Sequence, residues 1–98
     1  MQEYPYYHVS RRDGLNAIKP SRFDAFSRIP ETAVFVTTRP FITNWKLWIG
    51  EGRRDLYLYG INPPAGLLIE EGEDGAERGD FKIITRDPVP AEYIGLLQ

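Results

Sequence analysis

Hydrophobic residues along the chain fall in short runs of aromatic and β-branched side chains that Pro and Gly interrupt. Such runs are typical of β-strands bounded by turns. The clearest run, AVFVTT at 33–38, is nearly continuous in β-formers and predicts a buried central strand. The pattern as a whole predicts a sheet that includes residues 6–9, 33–37, 56–61 and 81–84.

Two segments show helical spacing instead. In GLNAIKP, residues 14–20, Leu15 and Ile18 lie on one helical face, Asp13 is placed to cap the first turn and Pro20 ends the pattern. In RPFITNWKLWIG, residues 39–50, three aromatic side chains recur at i, i+4 and i+7 behind a proline. Two short helices and a strand-rich remainder predict an α+β domain with a small mixed or antiparallel sheet.

The later part of the chain contains one strongly polar segment. EEGEDGAERG, residues 70–79, carries five acids and one base, and predicts a solvated hairpin or loop. Beyond it, Tyr93, Ile94, Leu96 and Leu97 are expected to close the core. Neither a repeat nor a linker divides the sequence, so we expect residues 1–98 to form a single domain.

Composition narrows the function classes. The 98 residues include 12 Lys and Arg against 14 Asp and Glu, so the net charge of -2 gives no general attraction to nucleic acid or anionic membrane. The absence of cysteine excludes disulfides, thiolate catalysis and cysteine-ligated zinc. Neither a secretory signal nor an apolar run long enough to span a membrane is present in the sequence. We expect a soluble, cytoplasmic protein.

Three pieces of sequence carry a family resemblance: YYHVSRRDGLNAI near the start, AVFVTTRP in the middle and FKIITRDPVPAEYI near the end. The first resembles the motif of the histidine-containing ADP-ribosyltransferase fold, in which a strand ends in His-x-Ser/Thr before a short helix. RNA 2'-phosphotransferases and small prokaryotic transferases have this fold. The second and third pieces resemble that fold's second strand and its closing strand and turn, in the same order.

The resemblance implies NAD as the substrate and assigns roles to three residues. His8 would bind a ribose hydroxyl, and Val9 and Ser10 would line the site of the nicotinamide amide. A neutral imidazole can donate to or accept from a hydroxyl without burying a charge, which agrees with that role. The alternative is that His8, the single histidine, only satisfies a backbone carbonyl at a strand end.

The family's catalytic glutamate has no counterpart in this sequence, because its expected position holds Lys82. A lysine would repel the cationic ribose that forms as nicotinamide departs. Asp80 lies two residues earlier on the same strand face, so we take it as the replacement acid, with Glu77 farther out in the loop. The alternative for Asp80 is a solvated acid at the start of a strand.

Basic and hydroxyl side chains near the predicted strand ends suggest a phosphate site. RNA 2'-phosphotransferases bind a phosphate with several arginines, so the resemblance invites that role for Arg11, Arg12, Arg39 and Lys82. Thr37 and Thr38, which end the second motif's strand, are cofactor-binding candidates together with Arg12 and Arg39. The alternative is a solvated charged rim. Four tyrosines offer a stacking surface for a nicotinamide or adenine ring: Tyr4, Tyr6, Tyr57 and Tyr59.

Two hypotheses of different classes follow. The first is a minimal ADP-ribosyltransferase in which His8 orients the ribose of NAD and Asp80 supplies the negative charge, with a protein or nucleic acid as its target. The second is a catalytically inactive binding module that holds a nucleotide ligand or a protein partner on the same face. Lys82 favours the second hypothesis, whereas His8 and Ser10 favour the first.

Overall fold

The computed structural model describes residues 3–23, 31–42, 55–72 and 74–97. Nearly half of these residues lie in short β-strands. Their bounds are β1 Tyr6–Ser10, β2 Ala17–Ile18, β3 Ser21–Phe23, β4 Glu31–Val36, β5 Tyr57–Ile61, β6 Leu68–Glu71, β7 Phe81–Ile84, β8 Val89–Pro90 and β9 Glu92–Leu96. Two 3-10 turns, Arg39–Phe41 and Ala76–Arg78, also occur.

The strands form three antiparallel sheets. A four-stranded sheet has the order β3-β4-β7-β6, a three-stranded sheet has the order β1-β5-β9, and β2 pairs with β8. The first two sheets meet where Tyr7 and Thr37 exchange both backbone hydrogen bonds, each 2.8 Å long. The predicted strands at 6–9, 33–37, 56–61 and 81–84 are found as β1, β4, β5 and β7, but they divide between two sheets.

The core lies between the sheets and draws on all three of them. It contains Val34 and Val36 from β4 and Ile83 from β7, which pack with Tyr59 and Ile61 from β5. β2 and β8 close the same cluster through Ile18 and Val89. A second, smaller cluster of Val9 and Leu56 lies on the opposite face of β1 and β5. Each face of the three-stranded sheet therefore packs against apolar side chains.

The predicted α+β fold is wrong, because the described residues are mostly β and form antiparallel sheets. The predicted helix at 14–20 is replaced by β2, whose Ala17 and Ile18 pair with Pro90 and Val89. An isolated helix of two turns is marginal in water, since its few hydrogen bonds do not offset the cost of nucleation. Here the backbone finds partners in β8 instead.

The second predicted helix begins differently from the expectation and then leaves the described part of the chain. Arg39–Phe41 form one 3-10 turn that follows Thr38, and Pro40 is its second residue. Residues 43–50, which hold most of the predicted helix and both tryptophans, lie outside the described residues.

The polar segment 70–79 was predicted as a hairpin or loop, and the structure confirms a hairpin. Glu70 and Glu71 belong to β6, which pairs with β7 across the turn that follows. Gly75 and Gly79 both have positive φ, 82° and 67°, in this turn. Glycine adopts these angles without the steric cost that a Cβ brings.

Candidate functional site

His8 lies where the three-stranded and four-stranded sheets separate. Antiparallel strands exchange hydrogen bonds at every second residue, so the pair after Tyr7 and Thr37 in a regular ladder would be Val9 and Phe35. At that position the imidazole enters instead, with Nδ1 of His8 2.7 Å from the carbonyl oxygen of Phe35. The histidine side chain therefore satisfies a strand carbonyl that the diverging β1 backbone does not reach.

The bond to Phe35 fixes the protonation of the ring. A carbonyl oxygen only accepts, so Nδ1 carries the proton and donates it, and Nε2 of the neutral ring is left as an acceptor. Burial lowers the pKa of His8 from its usual value of 6.5, and the bond to the Phe35 carbonyl offsets part of that shift. The ring is thus neutral at pH 7, with a single orientation.

The lowered pKa makes a prediction for stability. The unfolded chain binds a proton at His8 near pH 6.5, whereas the folded chain does so only at lower pH. Because the unfolded state then binds more protons, stability is full above pH 6.5 and falls as the pH drops towards the folded pKa. Urea denaturation of wild type and His8→Asn across pH 7.5 to 5 should show the wild type losing stability relative to the variant. A difference that stays constant across this range would contradict the assignment.

The residues next to His8 occupy different surroundings. Val9 is buried in the smaller core cluster, so its side chain packs inside the protein. Ser10 is half-buried, and its Oγ accepts a 3.1 Å hydrogen bond from the backbone N–H of Arg12. The Arg12 side chain is exposed. The predicted roles of Val9 and Ser10 at a nicotinamide amide stay predictions.

The second group of predicted binding residues lies after β4. Thr37 is fully buried and its backbone pairs with Tyr7, while Thr38 is half-buried at the start of the 3-10 turn. Arg39 forms an exposed ion pair with Glu3, 2.8 Å from Nη1 to Oε1. Thr37 therefore lies beside Tyr7, the neighbour of His8 in β1. Arg39 is paired with Glu3 at the surface.

Asp80 closes the hairpin between β6 and β7. Its Oδ2 accepts a 2.9 Å hydrogen bond from the backbone N–H of Asp74. The carboxylate also lies against Gly72, where an added Cβ would meet it at 2.3 Å. The two predicted catalytic residues thus have separate local partners, Phe35 for His8 and Asp74 for Asp80. Nζ of Lys82, the residue at which the resemblance would place a glutamate, lies 3.9 Å from Oε2 of Glu70 on the neighbouring strand.

A structural role for Asp80 predicts a graded loss of stability. Asp80→Ala removes the acceptor for Asp74 and should lower the free energy of unfolding by about 1 kcal/mol. Asp80→Asn keeps an amide oxygen that can accept the same bond, so its cost should be less than about half of that. Chemical denaturation of the two variants checks this. Equal losses for both variants would show that the negative charge, and not the hydrogen bond, is what matters.

The tyrosines divide into core and surface positions. Tyr59 is fully buried, and Tyr6 packs edge-on against Phe81 with 5.5 Å between ring centroids. Tyr4 lies over Gly60, and its hydroxyl donates to Glu92, a bond that contributes most to raising the pKa of Tyr4 to about 12. Tyr57 is half-buried. Tyr6 and Tyr57 are therefore the two predicted stacking residues that are half-buried on the same sheet face as His8, and the Tyr6 ring already packs against Phe81.

A fifth tyrosine joins Tyr57 there. Tyr93 and Leu96 were expected in the core, but they are 46% and 59% exposed. The Tyr93 ring centroid lies 6.2 Å from that of Tyr57 and 5.6 Å from that of Tyr59. Pairing of β9 at the edge of the sheet exposes these side chains, which sequence alternation in EYIGL alone does not assign to a face.

We call the surface on this side of the three-stranded sheet the His8 face. Directly opposite residues of antiparallel strands point to the same side of a sheet. His8 is opposite Tyr59, Ser10 is opposite Tyr57, and Tyr59 is opposite Tyr93. The His8 face therefore includes Tyr6, His8 and Ser10 of β1, Tyr57, Tyr59 and Ile61 of β5, and Tyr93 and Leu96 of β9. Tyr59 and Ile61 on this face belong to the main core.

Negative charge lies close to Tyr57. Burial raises the pKa of the Tyr57 hydroxyl, and the charges of Asp55 and Asp13 raise it further. The negative potential of these two carboxylates disfavours a phenolate and favours a cation at the same place. The Tyr57 end of the His8 face is thus suited to a positively charged group.

A small open cleft lies elsewhere, beside the N-terminal segment. It has a volume of about 190 Å³ and is lined by Tyr4, Gly60, Asn62, Pro90, Ala91 and Glu92. The hydrogen bond from Tyr4 to Glu92 crosses this lining. Of the predicted site residues, the stacking candidate Tyr4 lines this cleft, and His8 and Asp80 do not.

Comparison with known proteins found no family model, no curated protein and no solved structure that matches the chain. The resemblance to the ADP-ribosyltransferase fold therefore stays a prediction. Among the described residues, no helix is long and apolar enough to cross a membrane. In the same part of the chain, no group of three or more His, Asp or Glu side chains is placed to hold a metal ion.

Proposed function

We propose that this protein binds a nucleotide on the His8 face, with NAD⁺ as the first candidate, and acts as a binding module without transferase chemistry. The observation that carries the proposal is the state of His8. Its ring is neutral and held by the Phe35 carbonyl, and Nε2 is an acceptor with no partner among the described residues. A ribose hydroxyl can donate to that nitrogen without any charge being buried.

The aromatic part of the His8 face supports a ring-containing ligand. Tyr57 and Tyr93 lie within about two residues of His8 along the sheet and present partly exposed rings. The nicotinamide ring of NAD⁺ is cationic, so the faces of the two tyrosines and the nearby charges of Asp13 and Asp55 would attract it. Each cation–π contact at an exposed site contributes about 0.5–1 kcal/mol.

The positions of Asp80 and Lys82 argue against catalysis, because transfer would require an acidic residue beside the ribose. Departure of nicotinamide leaves a cationic ribose that needs a nearby negative charge. Asp80, the acid proposed for this role, bonds to Asp74 in its own hairpin, and Lys82 occupies the position of the family's glutamate. We therefore expect nucleotide binding without release of nicotinamide.

Calorimetric titration with NAD⁺, NADH and ADP-ribose tests the proposal. NADH keeps both phosphates and both riboses but has an uncharged dihydronicotinamide, so we expect NAD⁺ to bind about threefold more tightly. Tyr93→Leu should remove that preference, whereas Leu68→Ala, at an exposed apolar residue of β6 in the other sheet, should keep it. Absence of binding by all three nucleotides would overturn the proposal.

Incubation of the purified protein with NAD⁺ separates the two hypotheses from the sequence. The binding module predicts no free nicotinamide after prolonged incubation. Release by wild type that Asp80→Asn abolishes would establish the transferase instead.

A further inference from the structure

We propose that Tyr59 is a positioning residue for the phosphate-bearing part of the ligand: its buried hydroxyl holds the loop 11–16 so that the exposed Arg12 side chain faces an anionic group. The proposal rests on the proposed nucleotide function and extends it to a residue with no direct ligand contact. Tyr59 was predicted as a stacking residue, a role that its complete burial excludes.

The Tyr59 hydroxyl bridges the two ends of a turn. It donates a 2.6 Å hydrogen bond to the carbonyl oxygen of Arg12 and accepts a 3.3 Å bond from the backbone N–H of Leu15. Gly14 lies between them with φ of 68°, an angle at which a Cβ is strained. One phenol group thus closes the turn from Arg12 to Leu15.

Arg12 is held from its other side as well. Its N–H donates to Oγ of Ser10, and Ser10 follows His8 on the same strand face. Both peptide groups of Arg12 are therefore fixed by side chains of the His8 face, while the guanidinium lies in solvent. A cation on a fixed backbone loses less entropy when it binds a phosphate than one on a mobile loop.

The position of Tyr59 connects this loop to the rest of the proposed site. Tyr59 is opposite His8 on β1 and opposite Tyr93 on β9. The buried Tyr59 thus contacts the Arg12 backbone through its hydroxyl and lies opposite His8, the proposed ribose-binding residue. This arrangement suits a ligand with a ribose near His8 and an anionic phosphate near Arg12.

Affinities for ADP-ribose and adenosine test the inference, since adenosine lacks the phosphates. Tyr59→Phe removes only the hydroxyl and should weaken ADP-ribose binding about tenfold, while adenosine binding stays within about twofold. Arg12→Ala should have the same selective effect. The double variant should bind ADP-ribose no more weakly than Arg12→Ala, because Tyr59 acts through Arg12. Equal losses for both ligands, or additive losses in the double variant, would overturn the proposal.

Two substitutions at Gly14 test the same turn without changing the core: one should loosen the turn and the other is its control. An added Cβ at Gly14 points into open space, so only its backbone angle matters. Gly14→Val should reproduce the selective loss of ADP-ribose binding, whereas Gly14→Asn, which tolerates positive φ, should not. No difference between these two variants would also count against the proposal.

Hydrogen exchange at Leu15 distinguishes failure of this inference from failure of nucleotide binding. Its amide bonds directly to Tyr59, so Tyr59→Phe should accelerate its exchange at least tenfold relative to core amides. If wild type binds no nucleotide and Leu15 exchange still accelerates, the proposed function fails and Tyr59 only shapes the loop. If Leu15 exchange is unchanged, Tyr59 does not position the loop at all.

Discussion

Replacing Ile83 with alanine is expected to lower the free energy of unfolding by about 3 kcal/mol. Ile83 is fully buried at the centre of β7, paired with Val34 on one side and Ile69 on the other. Its truncation removes apolar contacts and leaves a cavity that neighbouring strands, fixed by their hydrogen bonds, fill only in part. The melting temperature should fall by more than about 10 °C.

Leu68→Ala is the matched control, because Leu68 lies on the neighbouring strand β6 and is 57% exposed. Its cost should stay within about 0.5 kcal/mol. Urea denaturation of both variants gives the comparison. A loss below about 1 kcal/mol for Ile83→Ala would contradict the arrangement of β4, β7 and β6 around this residue.

Replacing His8 with alanine should weaken NAD⁺ binding about tenfold, the usual contribution of one hydrogen bond of roughly 1.4 kcal/mol. The same change removes the hydrogen bond from His8 to the Phe35 carbonyl, so stability should fall by about 1 kcal/mol as well. Calorimetric titration and urea denaturation measure the two effects separately.

His8→Asn separates the structural role of His8 from its role in binding. The amide nitrogen of Asn is as many bonds from Cα as Nδ1 of His, so it can donate to Phe35, but no atom replaces Nε2. We expect this variant to keep most of the stability and to lose the same tenfold in affinity. Retention of wild-type affinity by His8→Asn would restrict His8 to bonding the Phe35 carbonyl.

The strands could be predicted from sequence because their signal is local. β4 is buried on both faces and reads as a continuous run of β-formers, while the buried Tyr7 and Val9 alternate with half-buried neighbours in β1. The false helix at 14–20 came from two apolar residues at helical spacing. The backbone hydrogen bonds that hold this segment as a strand come from β8 and from the N–H of Ala91, which are far along the chain.

The partners of the candidate site residues could not be predicted from the sequence. The choice of His8 followed from its place on a strand beside Ser10, and both lie on one sheet face as alternation requires. Its bond to Phe35 depends on where two sheets diverge, and the capture of Asp80 by Asp74 depends on the turn between β6 and β7. Such contacts are fixed by tertiary structure, which local spacing does not encode.

The most direct test of nucleotide binding at His8 is the ¹⁵N NMR spectrum of its ring, which is unambiguous because the chain has one histidine. At pH 7 we expect a neutral ring with Nδ1 protonated and Nε2 unprotonated. Adding NAD⁺ to roughly millimolar concentration should shift the Nε2 signal as it accepts a ribose hydroxyl, while Nδ1 stays bonded to Phe35. A proton on Nε2 in the free protein, or an Nε2 signal that NAD⁺ leaves unchanged, would contradict nucleotide binding at His8.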